Sequence, residues 1–346
     1  MQPSILAVTG VSGFLGQRLL RRLNADPAVG RIVGLDVRDP ARRTSKLEHH
    51  RVDIAGHDLK PLLEEVETLV HLAAVVDPIA DDRLMARVNV EGTRRVLEAA
   101  ADVGVRKLVR VSTAAAYGAW PTNPLPITEE RPLRPNPGFG PALQAAETER
   151  LLRVWHDDHP GVVVTTLRAA PMLGSGATHL WSRLICAPGR LRVRGGEAPV
   201  QVVHVDDAVT AVELVVREDH AGVFNVACEG WLDADAVAAL VPAPAMPAIP
   251  GDILRRGLAR LWRSGIGELP PAVVPYLTYP WVIASDKLRA IGWEPAYSNE
   301  ETILETLDAR PSARVPAAKS IAIAAAASAA GLGAGLTARA LRRRSG

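Results

Sequence analysis

The chain has 346 residues, 48% hydrophobic and 23% charged, close to the averages of globular proteins and enough for about two domains. That excludes a disordered, collagen-like or disulfide-scaffold chain. The formal charge of +2 is uneven, because residues 317–346 carry five basic side chains and no acid while residues 1–316 carry 35 basic and 38 acidic ones, so the body is not a basic nucleic-acid binder.

In chain order, short apolar β-rich runs alternate with helical patterns. A strand is predicted over Ile5–Thr9, a helix over Leu15–Asn24, and strands over Arg31–Leu35 and Thr68–Leu72. A helix over Asn89–Val103, a strand over Lys107–Val111, a helix over Leu143–Trp155 and a strand over Val162–Leu167 follow. Such alternation predicts an α/β fold, a parallel sheet with helices on both faces. The proline-dense stretch Tyr117–Pro141 reads as an irregular surface loop, and loops this long in compact domains are usually functional. Beyond Leu167 the regularity drops. A second proline-rich connector, Val241–Gly251, precedes the helix Ile253–Arg263, whose Leu254, Leu258, Leu261 and Trp262 oppose Arg255, Arg256, Arg260 and Arg263. That helix fits either a surface helix with a solvated arginine face or one lying on an anionic membrane.

These patterns predict a dinucleotide-binding domain over 1–170, a smaller domain over 171–310 with part returning to the sheet near 200–227, and an Ala/Gly-rich basic tail over 311–346. Within the tail, Ser320–Ala338 has no charged residue and Arg339, Arg342, Arg343 and Arg344 follow. It is long enough to span a bilayer, although a single span would send the arginines across, against the positive-inside tendency. Surface attachment, a partner-binding helix and a loosely ordered tail are the other readings. Cys186 and Cys228 are the two cysteines, and neither has the spacing of a zinc or redox site. With no export signal at Met1, the expected location is a reducing cytoplasm, with membrane association through the tail as the variant.

The first strand runs into Gly10-Val11-Ser12-Gly13-Phe14-Leu15-Gly16, where a helix opens. In a dinucleotide site the first glycine permits a tight turn, the second lets backbone approach the pyrophosphate and the third allows close helix packing. The phosphates then sit at the positive end of the helix. Asp36, twenty residues after Gly16 at the end of the next strand, supplies a carboxylate for ribose hydroxyls. It favours NAD over NADP, while Arg38, Arg42 and Arg43 nearby leave NADP open.

With these residues the sequence resembles the extended short-chain dehydrogenase/reductases, the NAD-dependent epimerase/dehydratases. The Gly-x-x-Gly-x-x-Gly spacing of Gly10, Gly13 and Gly16 is that family's form. Val52-Asp53-Ile54, His71-Leu72-Ala73-Ala74, Asn89-Val90-Glu91-Gly92-Thr93, Val111–Gly118, Leu167–Pro171, Val203–Ala208 and Ile291–Pro295 match in order over about residues 4–308. The resemblance implies a Rossmann-like doubly wound sheet with a smaller C-terminal substrate-binding domain. It also implies cofactor contacts from Gly10, Gly13, Phe14, Leu15, Gly16, Asp36, Asp53, Ile54, Leu72, Ala73, Ala74 and Asn89. Asp53 also reads as a loop carboxylate, Asn89 as a helix cap, His204 as a core histidine, and Asp206 and Asp207 as helix-start residues.

The family's chemistry uses a Ser or Thr, a Tyr, and a Lys four residues after the Tyr. The tyrosine exchanges a proton with the substrate while hydride moves to or from the nicotinamide, and the lysine holds the ribose and lowers the tyrosine pKa. Thr113 falls on the hydroxyl position, but Pro141 falls on the tyrosine and Ala145 on the lysine. None of Tyr117, Tyr276, Tyr279 and Tyr297 has a lysine four residues later, and no lysine lies between Lys107 and Lys287. Arg150 and Arg153 lie a turn or more away and are not readily tuned acids. The sequence thus predicts an NAD(P)-binding protein with a degenerate site and weak or no conventional redox turnover. The alternative is an active oxidoreductase or epimerase using Thr113 and an unusual acid/base on a sugar-nucleotide or sterol-like substrate; Tyr117 is a conceivable phenol for it, although it reads better as a packing residue at the strand end. A small molecule and a second copy of the chain are the expected partners, with surface or partner contact through 320–346.

Overall fold

The computed structural model describes residues 3–187, 191–196, 198–241 and 247–309. Seven parallel strands form the central sheet: β1 (Ser4–Thr9), β2 (Val29–Asp36), β3 (Leu47–Arg51), β4 (Thr68–His71), β5 (Lys107–Thr113), β6 (Val163–Ala169) and β7 (Gly222–Val226). Their order is β7-β6-β5-β4-β1-β2-β3, the doubly wound arrangement. Alternating side chains feed two cores. Leu6, Val8, Ile32, Val70, Val109 and Leu167 face one side, and Ala7, Val33, Leu35, Leu69, Leu108 and Val164 face the other. This double burial makes the strands read as near-continuous apolar runs.

Helices α1 (Gly16–Ala25), α2 (Gly92–Val103), α3 (Gly140–Asp158) and α4 (Val205–Arg217) cover the sheet. Helices α1 and α4 share the first core through Leu19, Leu20, Leu23, Val209, Val212 and Val215. Helices α2 and α3 share the second through Val96, Leu97, Ala100 and Leu152. The five predicted strands and three predicted helices of the first half are present to within a few residues, with two differences. Edge strand β3, Leu-Glu-His-His-Arg, has a half-solvated pattern with no apolar run to announce it. The predicted helix Asn89–Val103 divides into a π-helical turn, Arg87–Glu91, and α2.

The segment between Tyr117 and α3 has no regular structure, as expected, but it is more than a surface loop. Ile127, Asn136 and Phe139 are buried. Asn136 clamps Ala119 through both backbone groups, at 2.7 and 3.1 Å, and Ile127 forms a bridge to Ile283. The loop is therefore anchored in the core and delivers Phe139 to the start of α3.

After β6 the chain adds short elements and one longer amphipathic helix, α5 (Gly251–Arg263). Its Leu254 and Leu258 are buried while Arg255, Arg256, Arg260 and Arg263 are exposed, the apolar and arginine faces that the sequence predicts. Helix α6 (Asn299–Asp308) closes the described chain with a capping box between Ser298 and Glu301. Among the described residues, no helix is long and apolar enough to cross a membrane; the 320–346 tail lies outside them. Cys186 and Cys228 are buried and are not joined in a disulfide.

Candidate functional site

The strand order reverses between β1 and β4, and a crevice at the carboxyl ends of such strands is where open α/β sheets bind ligands. A cleft of about 720 Å³ lies there, lined by Gly10, Gly13, Phe14, Leu15, Gly16, Leu72, Ala74, Asn89 and Thr113 among others. Nine of the residues singled out from sequence thus share one cavity.

The glycine loop is built for close backbone approach. Gly10 has φ +73°, and a Cβ there would lie 2.8 Å from the Ala73 nitrogen. A Cβ on Gly16 would overlap the Gly10 carbonyl oxygen. Helix α1 has no side-chain cap and no acid in its first turn. The N–H groups of Phe14 and Leu15 meet no acceptor among the described residues. Free donors and the positive pole of the helix together make an anion cradle. Two cations that sequence reasoning did not place there as phosphate partners, Arg18 and Arg38, also line the cleft. Arg18 stacks over Phe14 at 4.5 Å and pairs with Asp206 at 3.4 Å. These residues fit a dinucleotide pyrophosphate.

Asp36 is 8% exposed. Its two oxygens accept from the N–H groups of Ser12 and Arg38, each at 3.0 Å. The carboxylate therefore ties the glycine loop to the end of β2 and keeps further lone pairs for ribose hydroxyls. Asp36, Ala73, Asp53 and Ile54 do not themselves line the cleft, although Asp36 holds two residues that do, Ser12 and Arg38. Asp53 pairs with Arg87 at 3.0 Å and caps its own turn through the Ala55 N–H. Ile54 packs in the core beneath Gly92. Asn89 lines the cleft, but its amide is occupied with protein. It accepts from the Val75 N–H at 2.7 Å, donates to the Val75 carbonyl at 3.0 Å and meets the Gln144 amide at 2.8 Å. Its role is to shape the Ala74–Val75 wall.

Behind that wall His71 is fully buried between two hydroxyls, Thr9 at 2.7 Å from Nδ1 and Thr93 at 2.9 Å from Nε2. Thr9 also accepts from the Ala73 N–H at 3.2 Å. Burial holds the His71 pKa well below the usual value, with Arg110 adding to the effect, so the imidazole is a neutral brace between β1, β4 and α2.

At the far end, Thr113 accepts from the Ala115 N–H at 3.2 Å and caps the turn Ala114–Tyr117. Pro141 and Ala145 line the same cleft, and among the described residues no tyrosine or lysine does. The titratable groups lining it are Arg18, Arg38, Asp77, Arg110 and His179. Asp77 accepts from the Leu180 N–H and from Arg183. The His179 Nε2–H is spent on the Met172 carbonyl at 2.6 Å, and burial lowers its pKa.

The Tyr117 alternative does not hold. Its phenol is 1% exposed, accepts from Arg168 at 2.8 Å and donates to Asn225 at 2.9 Å. Burial pushes its pKa up to about 12, the wrong direction for a proton donor at neutral pH. Arg168 in turn binds Glu149 through Nε and Nη2, at 2.9 and 2.7 Å, and Ser112 donates to the same carboxylate at 2.6 Å. This network fastens β5 and β6 to α3 and is structural.

The second half contributes support. His204 caps α4 by accepting from the Asp206 N–H at 3.2 Å. The Asp207 carboxylate accepts from the N–H groups of Ala296 and Tyr297, at 2.9 and 3.1 Å. Trp293 donates to the Asp207 carbonyl at 3.1 Å. Phe139 and Trp181, in tilted contact at 5.9 Å, wall the cleft. Sequence reading missed these aromatics because nothing local marks which buried aromatic reaches a cavity. Arg110 was also missed, although a charge inside an otherwise apolar parallel strand was a signal.

Comparison with known proteins agrees with this geometry. The family model described as the NAD dependent epimerase/dehydratase family matches residues 6–227. An uncharacterised protein of Mycobacterium tuberculosis is 29% identical, over 86% of this chain and 82% of its own. A 3-diazoavenalumate denitrifying reductase of a Streptomyces species is 29% identical, over 84% of this chain and 95% of its own. The UDP-glucose 4-epimerase of Thermus thermophilus, solved with NAD, superposes with a TM-score of 0.69 at 24% identity, covering 88% of this chain and 98% of that one. With the glycine cradle, the strand order and the framing motifs in agreement, the chain belongs to the NAD dependent epimerase/dehydratase family.

Proposed function

We propose that the protein binds NAD(H) in this cleft and carries there a degenerate catalytic centre, with weak or no conventional turnover of alcohols and carbonyl compounds. One observation carries the reading: Pro141 and Ala145 line the cleft beside Thr113, and no tyrosine or lysine among the described residues shares it. The bound nicotinamide supplies hydride exchange with carbon, whereas proton exchange falls to the protein. Thr113 offers a hydroxyl without a partner base, and the one N–H of neutral His179 is committed. Losing general acid/base help typically costs 10²–10⁴ in rate. Binding survives that loss, because the Gly10–Gly16 cradle and Asp36 are independent of it. The Asp36 carboxylate supports NAD, since it would repel a 2′-phosphate; Arg38, which shares the cleft, is the feature that favours NADP.

A second reading, an active reductase orienting its substrate through Thr113, is favoured by the Streptomyces relative, a denitrifying reductase by name. A carbon that takes hydride while expelling a leaving group needs no proton from the enzyme. In such a case the hydride pair forms the new C–H bond and the C–N pair departs with dinitrogen.

The test is to measure NAD+ and NADP+ affinity by calorimetry and NADH oxidation with a panel of aldehydes, ketones and arenediazonium salts, in wild type and P141Y/A145K. The proposal expects micromolar-range nucleotide binding, negligible carbonyl turnover by wild type, and a gain in the double variant. Carbonyl reduction by wild type at enzyme-like rates refutes it. Turnover confined to the diazonium substrates selects the second reading.

A further inference from the structure

Arg110 is a buried cation with unfinished hydrogen bonding at the edge of the cleft. It lies on β5 between Leu108 and Ser112, on the face turned to α3. It is 3% exposed. Its Nη2 donates to the Thr148 hydroxyl at 3.3 Å, and Thr148 donates to the Ala145 carbonyl at 2.9 Å. Its Nε and Nη1 have no hydrogen-bond partner among the described residues. The carboxylate that attracts it, Glu149, already serves Ser112 and Arg168 through both oxygens. A guanidinium kept from water without acceptors is costly, so two donors of this kind beside a cavity call for an acceptor on the ligand.

Position decides which part of the ligand. The cleft runs from Arg38, beside Asp36, past the glycine loop to Thr113 and Ala145. A dinucleotide with its pyrophosphate on Phe14 and Leu15 and one ribose at Asp36 has its other ribose toward the Arg110 end. Ala145 presents only a methyl group there, which leaves the space beside the helix open to a side chain from the neighbouring strand.

We propose that Arg110 is the positioning cation for the ribose on the nicotinamide side of bound NAD(H), donating to its hydroxyls from β5 across the gap that Ala145 leaves. The inference rests on the NAD(H) reading above. It makes Arg110 responsible for the affinity and placement of the reactive half of the cofactor, and leaves the adenine half to Asp36 and the glycine loop.

The experiment compares ADP, ADP-ribose and NAD+ binding by calorimetry in wild type, R110M and R110M/A145K, with circular dichroism as a check on folding. ADP lacks the second ribose and ADP-ribose carries it. Wild type is expected to bind ADP-ribose and NAD+ more tightly than ADP. R110M is expected to lose about tenfold or more for both, as for a hydrogen bond to a charged group, with ADP affinity within about twofold of wild type. Lysine at position 145 should recover part of the loss. Undiminished ADP-ribose binding by R110M, a parallel loss of ADP, or no recovery by the lysine overturns the proposal. If wild type binds none of the three, the dinucleotide reading itself fails, a result distinct from all of these.

Discussion

The Glu149–Arg168 pair gives the sharpest test of what holds the site's frame. Both side chains are almost fully inaccessible, at 4% and 5% exposure, and they meet at 2.7 Å. Glu149→Gln keeps the shape but removes the charge, leaving Arg168 buried without its counterion and Arg110 without its nearest attraction. Breaking a buried pair from one side typically costs about 3–5 kcal/mol. With roughly 2.1 cal/mol/K of unfolding entropy per residue over about 300 folded residues, each degree near the midpoint is worth about 0.6 kcal/mol, so Tm should fall by roughly 5–8 °C. Thermal and urea melts at pH 7.5 measure it. The apolar double variant E149L/R168M should regain most of the loss, because it removes both desolvated charges together. The Tyr117 phenol then keeps its bond to Asn225. A loss under about 1 kcal/mol for Glu149→Gln, or a double variant no more stable than the single, would refute the assignment of this network as the tie between β5, β6 and α3.

Three further outcomes follow from the geometry. Gly10→Ala forces a side chain into a left-handed backbone, which costs about 1–2 kcal/mol, and presses its Cβ to 2.8 Å from the Ala73 nitrogen; calorimetry should show lost nucleotide binding together with a lowered melting point. His71, neutral in the fold, has a pKa depressed by burial. The unfolded chain therefore takes up a proton below about pH 6.5 that the folded chain refuses, and stability should be level above that pH and fall by up to about 1.4 kcal/mol per unit below it; chemical melts from pH 7.5 to 5 should lose that slope in His71→Asn. At the alkaline end Tyr117, raised to about 12, works the other way. The unfolded phenol ionises first, so stability drops between pH 10 and 12, and Tyr117→Phe should reduce that slope to the part that Tyr276, also raised by burial, contributes.

The sheet was legible in the sequence because parallel strands buried on both faces leave apolar runs, as in Lys107–Thr113, and because Gly10, Gly13 and Gly16 mark backbone that no side chain can replace. Edge strand β3 was illegible for the same reason reversed: it pairs on one side, to β2, and its five residues are half solvated. At the site, sequence spacing pointed to Thr113, which lines the cleft, and to Asp36, which holds the glycine loop through Ser12, but it could not assign side chains shared between elements. Asn89 reads as a cofactor residue until its amide is found spent on Val75 and Gln144. Tyr117 reads either as a packing residue at the strand end or as a conceivable phenol, and Arg168 and Asn225 on either side of it decide for the first.

Those partners come from residues far apart in the chain, and only packing reveals them. The same holds for charge. The chain's five lysines leave the interval from Lys107 to Lys287 without one, which from sequence alone marks a missing group at Ala145. In the fold the neighbourhood of Ala145 is not short of cations, because Arg110 stands beside it with two nitrogens unpartnered. An arginine there can donate hydrogen bonds and fix a ligand, but it cannot lend a proton at neutral pH or bring a phenol into the cleft, where none lies. On the proposed function, binding and proton transfer, joined in a Tyr-x-x-x-Lys pair, are separate properties of this cleft, the first kept by the glycine loop and Arg110 and the second left without a donor.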